Sequence, residues 1–199
     1  MTLSDAICSR RTYYALSNET PVSTEKLKEI VELAVKHTPS AFNMQSARVI
    51  VLAGKSHEQL WDLTLTALKQ IIPDKQIKAT TDKINAFKMA YGTILFFDDN
   101  HVIKKMISDY PLYEKQFYTW AMQANGMLQS NLWMLLEDVG FGASLQHYNP
   151  LIDSAVQKTW NLPKSWQLIA QMPFGIPLHK ADAKTFTPIK ERVKFYLTD

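Results

Sequence analysis

The chain has 199 residues, of which 46% are hydrophobic and 21% are charged, a composition typical of a globular protein. Its net charge of +3 is too small to indicate nucleic-acid binding, although it leaves room for a local cationic pocket that binds an anionic ligand. A single cysteine, Cys8, excludes an intramolecular disulfide and a thiolate metal cluster, and the five histidines lack the spacing of a metal site.

The segments that would address the chain to a membrane or divide it into domains are not apparent. The N-terminus lacks a basic region followed by a long apolar run, and no apolar run approaches the ~18 residues that a membrane helix needs. We therefore expect a soluble cytoplasmic protein without a nucleic-acid or membrane partner. No shift in composition marks a linker, so we expect one domain over residues 1–199.

In the first half of the chain, each of two predicted strands follows a pair of predicted helices. Ser23 is the expected N-cap of the second helix, and Ser56–Gln59 has the pattern of a capping box at the start of the third. Two apolar runs predict buried strands. The predicted segments are a helix ending near Ser9–Arg11, the helix Ser23–His37, the strand Val49–Ala53, a helix from Ser56 to about Ile71, the helix Lys75–Met89 and the strand Thr93–Phe97.

The second half predicts one long helix, a short helix and three strands. The long helix follows Pro111 and ends at Gly140, and its part Trp120–Val139 is apolar around most of its circumference, as expected for the centre of a core or an interface. These elements indicate an α+β sandwich with a central sheet between long helices. The later segments are a strand after Gly140–Leu145, a helix over Leu151–Trp160, a strand Gln167–Met172 closed by Pro173, and a tail strand Arg192–Leu197 that could pair with a partner chain as easily as its own.

The turn Pro39–Ser46, between the second helix and the first long strand, carries two carboxamides, Asn43 and Gln45. Burying them unpaired would cost about 1–3 kcal/mol each, so they need protein, water or a ligand as partner. A flat heterocycle with donors and acceptors along one edge would suit them. A loop that caps its own backbone would satisfy them too.

Three further motifs could form an anion site. Arg10-Arg11-Thr12 offers two guanidiniums and a hydroxyl, although adjacent arginines also occur on solvated faces. Lys190-Glu191-Arg192 would join them if the fold brings both ends of the chain to one pocket. Gly140 indicates a helix C-cap, and Gly142 would let backbone N–H groups approach a ligand closely.

In order and at their spacings, these motifs resemble the nitroreductase family of flavoproteins over residues 10–192. Arg10–Thr12 resembles the family's Arg-Arg-Ser, Pro39–Gln45 its Pro-Ser-x-x-Asn-x-Gln turn, Gly140–Ala143 its Gly-x-Gly-Ala/Thr turn, and Lys190-x-Arg192 its C-terminal basic pair. The stretch from Gly142 to Pro150 is similar to the branch that includes the fungal fatty-acid-repression-mutant proteins and their bacterial relatives.

The resemblance implies an α+β nitroreductase-like fold with a mixed or antiparallel sheet, and an FMN-binding homodimer with its flavins at the subunit interface. It implies no metal and no catalytic side chain, because the chemistry takes place at N5 of FMN. The implied phosphate contacts are Arg10, Thr12, Lys190 and Arg192, with Arg11 nearby. Asn43 and Gln45, from the neighbouring subunit, would contact the polar ring edge or the ribityl chain. The backbone of Gly142, Ala143 and Ser144 would lie along the ring.

The implied activity is that of an FMN-dependent NAD(P)H oxidoreductase that reduces nitroaromatics, quinones or both by a ping-pong hydride transfer. The alternatives are a flavin-binding regulator or redox sensor in lipid or stress signalling, and an α+β scaffold without cofactor. Tyr14 stands where many relatives have a Lys or Arg that steadies the N1–C2=O edge of the flavin, and Arg48 is a candidate substitute. Ser46-Ala47 replaces the common Pro-Trp, so the ring contact there differs.

Overall fold

The computed structural model describes residues 1–197, and its elements follow the predicted order with two additions that the sequence analysis missed, a short strand at Leu16–Ser17 and a helix at Asn100–Asp109. The helices and strands are α1 (Leu3–Ser9), β1 (Leu16–Ser17), α2 (Thr24–His37), β2 (Ala47–Ala53), α3 (Lys55–Lys69), α4 (Asp74–Lys88), β3 (Gly92–Asp99), α5 (Asn100–Asp109), α6 (Glu114–Asp138), β4 (Gly142–Ala143), α7 (Asp153–Thr159) and β5 (Trp166–Pro177). Short 3-10 helices lie at Ala41–Asn43, Pro111–Tyr113 and Ile189–Glu191.

The strands form one antiparallel sheet in the order β1-β5-β3-β2, and β4 pairs with β5. Side chains alternate across β3. Ile94 and Phe96 pack with α2 and α6 on one face, whereas Leu95 and Phe97 pack with α3, α4 and α7 on the other. The predicted α+β sandwich, with an antiparallel sheet between helices, is therefore confirmed.

Helix α6 is the central helix of one layer, as its composition predicts. Leu128, Leu132 and Leu136 are fully buried against the sheet. The helix ends at Asp138, and Gly140, whose φ of +94° favours a glycine, turns the chain away from it, while the N–H of Phe141 donates to the carbonyl of Leu136. The predicted C-cap is confirmed.

Three local predictions were wrong. Helix α3 begins after Gly54, which has φ +54°, and no side chain caps it, so Ser56–Gln59 is not a capping box. Strand β2 is half-exposed at the edge of the sheet, with Leu52 its one buried residue. Strand β5 continues past Pro173 to Pro177, because the carbonyl of Pro173 still accepts from the backbone N–H of Ser144 on its other side.

The tail Arg192–Leu197 forms no strand in the part of the chain that the structure describes. Phe195, Tyr196 and Leu197 are 77%, 90% and 81% exposed. Its alternating apolar residues predict a strand, but a strand forms only where the segment can pair with a free sheet edge. Exchange of this tail with a partner subunit stays a prediction.

Across residues 1–197, no helix combines the length and the apolar composition that crossing a bilayer requires.

Candidate functional site

The fold places the N-terminal motif directly against β4. Thr12 forms a parallel bridge with Ala143, and the backbone N–H of Tyr13 donates to the carbonyl of Ala143 over 2.9 Å. Segments about 130 residues apart in the sequence therefore meet at this part of the sheet. The arrangement brings Arg10, Arg11 and Thr12 beside the glycine turn that follows α6.

The two guanidiniums of this motif are half-buried and have no carboxylate partner. The Cζ of Arg10 lies 4.5 Å from the centroid of the Trp133 ring, a cation–π arrangement. Arg11 donates to the backbone carbonyl of Asp182. Within residues 1–197 neither arginine forms an ion pair with an acidic side chain. Their uncompensated positive charge suits an anionic ligand.

Gly142 has a packing role that the sequence did not reveal. A Cβ built at this position would lie 2.6 Å from Cγ of Pro177 and 2.7 Å from Cδ2 of Tyr13. Ala143 and Ser144 are fully buried, and the N–H of Ser144 donates to the carbonyl of Pro173 over 3.2 Å. The space beside Gly142 is thus filled by the chain itself, so its predicted use for ligand approach gains no support.

The C-terminal basic pair is not in bonding contact with the N-terminal motif within the described chain. Lys190 and Arg192 are exposed, and no hydrogen bond or ion pair of residues 1–197 joins them to residues 10–12. The preceding segment does cross the N-terminus, since the N–H of Leu178 donates to the carbonyl of Ala15 over 3.1 Å. The side chain of Lys184 also donates to the carbonyl of Cys8.

The carboxamide turn holds a strained backbone. Phe42, Asn43 and Gln45 have φ values of 54°, 52° and 51°, a left-handed conformation that costs about 1–3 kcal/mol for each such residue. The hydroxyl of Ser40 accepts from the N–H of Gln45 over 3.0 Å, and the guanidinium of Arg48 donates to the backbone carbonyl of Gln45 over 2.7 Å. Both carboxamide side chains are exposed. The side-chain amide of Gln45 also donates to the carbonyl of Asn43 over 3.4 Å, a long bond that leaves both exposed side chains accessible to a ligand.

Arg48 serves this turn and the sheet. Its guanidinium also donates to the carbonyl of Ala47 over 3.0 Å and forms an ion pair with Asp99 at 3.2 Å. These contacts use both terminal nitrogens. Nothing in the structure therefore favours Arg48 as the group that steadies a flavin edge.

A buried polar network, which no motif predicted, ties the turn to α6. The hydroxyl of Ser46 donates to the Asp98 carboxylate over 2.9 Å, and the Asn125 amide donates to it over 3.2 Å. Gln129 donates in turn to Oδ1 of Asn125 over 2.8 Å. Burial raises the pKa of Asp98 to about 6, although the bonds from Ser46 and Asn125 and the charge of Arg48 oppose that shift.

Replacing Asp98 by Asn is expected to remove one pH dependence of stability. The folded protein holds the proton of Asp98 more tightly than the unfolded chain does, because burial raises its pKa from 3.8 to about 6. The contribution of Asp98 to the free energy of unfolding is greatest below the pKa of the unfolded chain. Roughly 3 kcal/mol of it is lost as the pH rises through the pKa of Asp98 in the folded protein. Urea unfolding between about pH 4.5 and about pH 8 should detect roughly 2 kcal/mol of this loss, because the remainder occurs below pH 4.5.

The amide that Asp98→Asn introduces could still donate to Ser46 and accept from Asn125, so the network stays satisfied. Burial lowers the pKa of His57, which has the opposite effect on stability, but this contribution is common to both proteins and cancels in their difference. The exposed change Glu32→Gln is the control. Equal pH slopes for wild type and Asp98→Asn would contradict the assignment.

An exposed cluster of aromatic side chains, also missed from the sequence, lies around Phe42. Its ring centroid is 4.8 Å from that of Tyr110, 5.7 Å from Tyr113 and 6.0 Å from Trp120. Phe42, Tyr110 and Tyr113 are 49%, 43% and 42% exposed. We call these four residues the aromatic patch. Aromatic side chains exposed together in this way are a candidate interaction surface.

Across residues 1–197, no group of His, Cys, Asp and Glu side chains could hold a metal ion. The donors gathered at the site are guanidiniums, hydroxyls and carboxamides, which suit an anionic organic ligand.

Comparison with known proteins identifies the family of this chain. The model of the nitroreductase family matches residues 7–176. Nitroreductase FRM2 of Saccharomyces cerevisiae is 34% identical over 92% of this chain and 91% of its own. Nitroreductase CinD from Lactococcus lactis, solved in complex with chloramphenicol, is 38% identical with a TM-score of 0.90, covering 98% of this chain and 100% of CinD. The chain belongs to the nitroreductase family.

As a nitroreductase-family member, the protein is an oxidoreductase. A second yeast relative, HBN1, is 34% identical over 96% of this chain and 94% of its own. The similarity to FRM2 confirms the branch that the stretch from Gly142 to Pro150 indicates.

Proposed function

We propose that this nitroreductase-family protein is an FMN-dependent NAD(P)H oxidoreductase that reduces nitroaromatics, quinones or both. We further propose that residues 1–199 form a single FMN-binding domain, which works as a homodimer in the cytoplasm. The observation that carries the proposal is the pair of half-buried guanidiniums without carboxylate partners, Arg10 and Arg11, held against β4 beside Thr12. FMN, when bound, would supply the redox chemistry by accepting a hydride from NAD(P)H and passing electrons to the acceptor.

The charged residues fit the phosphate of FMN. A phosphate monoester carries about −1.5 to −2 charge at neutral pH, and guanidiniums bind its oxygens in pairs. Arg10 and Arg11 would bind this group together with the hydroxyl of Thr12. Lys190 and Arg192 are exposed and would complete the site. A protein from Exiguobacterium sibiricum that shares this fold at 13% identity, with a TM-score of 0.72, was solved in complex with FMN.

The strained turn would present Asn43 and Gln45 to the polar ring edge or the ribityl chain, from the neighbouring subunit. Both side chains are exposed while their backbone is held by Ser40 and Arg48. Backbone strain that is held by surrounding contacts is common at ligand sites. The turn therefore supports a binding role without itself naming the ligand.

The aromatic patch suits a planar acceptor. Phe42 is the patch residue next to Asn43, so an acceptor near this turn could stack on its exposed face. CinD has been solved with 4-nitrophenol at 39% identity and with chloramphenicol at 38% identity. Neither the turn nor the patch offers an acid–base pair or a nucleophile. Donor and acceptor would use the same open face in turn, which gives ping-pong kinetics.

Stopped-flow mixing of the purified protein with NADH and with NADPH tests the proposal. We expect at least one of them to bleach the flavin absorbance within seconds, and double-reciprocal plots with a quinone or nitroaromatic to be parallel. Asn43→Ala or Gln45→Ala should lower flavin binding or reduction without making the protein specific for one acceptor.

The failed outcomes of this experiment differ from one another. A yellow protein that neither nucleotide bleaches would favour a flavin-binding regulator or redox sensor. A colourless protein that takes up no added FMN would favour a scaffold without cofactor.

A further inference from the structure

Trp133 carries a buried hydrogen-bond donor without an acceptor. The residue is half-buried on α6, and its indole Nε1 is shielded from solvent with no partner in residues 1–197. A buried indole N–H normally finds an acceptor, because water no longer provides one. The missing acceptor therefore calls for an explanation.

The group that lies against this indole is the Arg10 guanidinium, 4.5 Å from the ring centroid. Arg10 follows directly after α1 and forms no ion pair within the described chain. An indole N–H and a guanidinium without acceptors thus occur side by side. Both would be satisfied by an oxyanion, whereas a water molecule would leave the positive charge uncompensated.

The shape of the anion follows from the geometry of its donors. A guanidinium binds two oxygens in its own plane, and a tetrahedral phosphate keeps further oxygens outside that plane. One phosphate can therefore accept from Arg10 and from a neighbouring indole N–H at once. A planar carboxylate that binds the guanidinium through both oxygens keeps its remaining lone pairs in that same plane, so it is less suited to a donor outside the plane.

We propose that Trp133 belongs to the phosphate site: its ring face orients Arg10, and its indole N–H donates to an oxygen of the FMN phosphate. This inference rests on the proposed binding of FMN. It adds a donor from α6 to the residues that the sequence motifs identify.

Two substitutions separate the two roles of Trp133. Trp133→Phe keeps an aromatic face for Arg10 but removes the N–H, whereas Trp133→Leu removes both. Trp160→Phe, at the end of α7 on the other face of the sheet, is the matched control. The dissociation constants of FMN and riboflavin are measured by flavin fluorescence titration of the full-length protein after its flavin has been removed.

Riboflavin lacks the phosphate and makes the test specific. We expect Trp133→Phe to weaken FMN about 10- to 100-fold, the range for a hydrogen bond to a charged group, and to leave riboflavin unchanged. Trp133→Leu should weaken FMN further, again with little effect on riboflavin. Trp160→Phe should change neither affinity.

The other outcomes overturn the inference in distinguishable ways. Unchanged FMN affinity in Trp133→Phe would show that the indole N–H does not meet the phosphate, while the proposed function would stand. Equal weakening of both flavins would assign Trp133 a purely structural role. If the wild-type protein binds neither flavin, the proposed function fails together with this inference.

Discussion

Purified protein is expected to sediment as a homodimer at micromolar concentration, and the single change Leu33→Asp is expected to dissociate it. A groove of about 330 Å³ between α1, α2 and α6 is lined largely by apolar side chains. Large apolar side chains stand exposed around it: Leu3 at 68%, Ile7 at 53% and Leu33 at 50%. A surface of this kind is expected at a permanent interface, which would bury more than ~2,000 Å² in total.

The size of the effect follows from the symmetry of such a dimer. Each change is present twice in a two-fold interface, and the loss of a buried leucine costs roughly 1.5–3 kcal/mol per copy. The dimer dissociation constant should therefore rise about 10²- to 10⁴-fold. Ile71→Asp is the matched control, because Ile71 is 65% exposed just beyond α3 on the opposite layer.

Analytical ultracentrifugation over a range of concentrations measures both variants. A wild-type protein that is monomeric at micromolar concentration with FMN bound would rule out the obligate dimer. Dissociation by Ile71→Asp as well would place the interface elsewhere.

The exposed tail offers a second route to the same dimer. Strand β2 is a sheet edge without a second neighbour in residues 1–197, and such an edge can accept a strand from another chain. Beside it lies a groove of about 580 Å³ between α2, β2 and α6. We propose that the partner's tail, with its exposed Phe195 and Tyr196, pairs along the β2 edge and leaves the groove, whose lining includes Gln45, to the flavin. Deleting residues 193–199 should then weaken the dimer.

Arg10→Ala is expected to weaken FMN binding at least tenfold, and Arg192→Ala should do the same. A charge-assisted hydrogen bond contributes roughly 1.5–3 kcal/mol, and 1.4 kcal/mol corresponds to a factor of ten. Arg10 lies beside β4 and forms no ion pair with a carboxylate in the described chain. Its guanidinium is therefore free to bind the phosphate, and its removal should cost the full value of that bond. Titration of the flavin-free protein with FMN gives the affinities.

Lys69→Ala is the control, since it removes an exposed positive charge at the end of α3. Its FMN affinity should match that of the wild type at physiological salt. If Arg10→Ala and Arg192→Ala both keep the wild-type affinity, the phosphate does not bind at this end of the sheet. If Arg10→Ala alone weakens binding, the C-terminal pair lies outside the site.

The local patterns of the sequence were sufficient to predict most helices and the family. The period of the apolar residues located α2, α4 and α6, and Ser23 caps α2 as its position predicts. Gly140 follows the end of α6 with a positive φ, a conformation that glycine adopts easily and that a short stretch of sequence is enough to predict. The motifs from Arg10 to Arg192 indicated the nitroreductase family in the same way, because each is a short run of adjacent residues.

Pairings between distant segments decided the rest. Whether the apolar run at Val49 becomes a buried or an edge strand depends on its neighbours in the sheet, and β2 lies at the edge. Asp98 follows the predicted strand Thr93–Phe97 in the sequence and lies within β3 in the structure. Only the packing of α6 brings Asn125 to its carboxylate and buries the pair, and that burial raises the pKa of Asp98.

The same holds for the candidate site. In the sequence, Trp133 is not distinguished from the other apolar residues of α6. In the structure, the path of the chain after α1 places Arg10 over its ring. The sequence by itself predicted most of the helices, the buried strand β3 and the family, since those properties depend on neighbouring residues, but it missed α5 and predicted a tail strand that the described chain does not form. Tertiary structure alone decided which side chains are buried together and which donors lack an acceptor, because burial is a property of surfaces that meet only after folding.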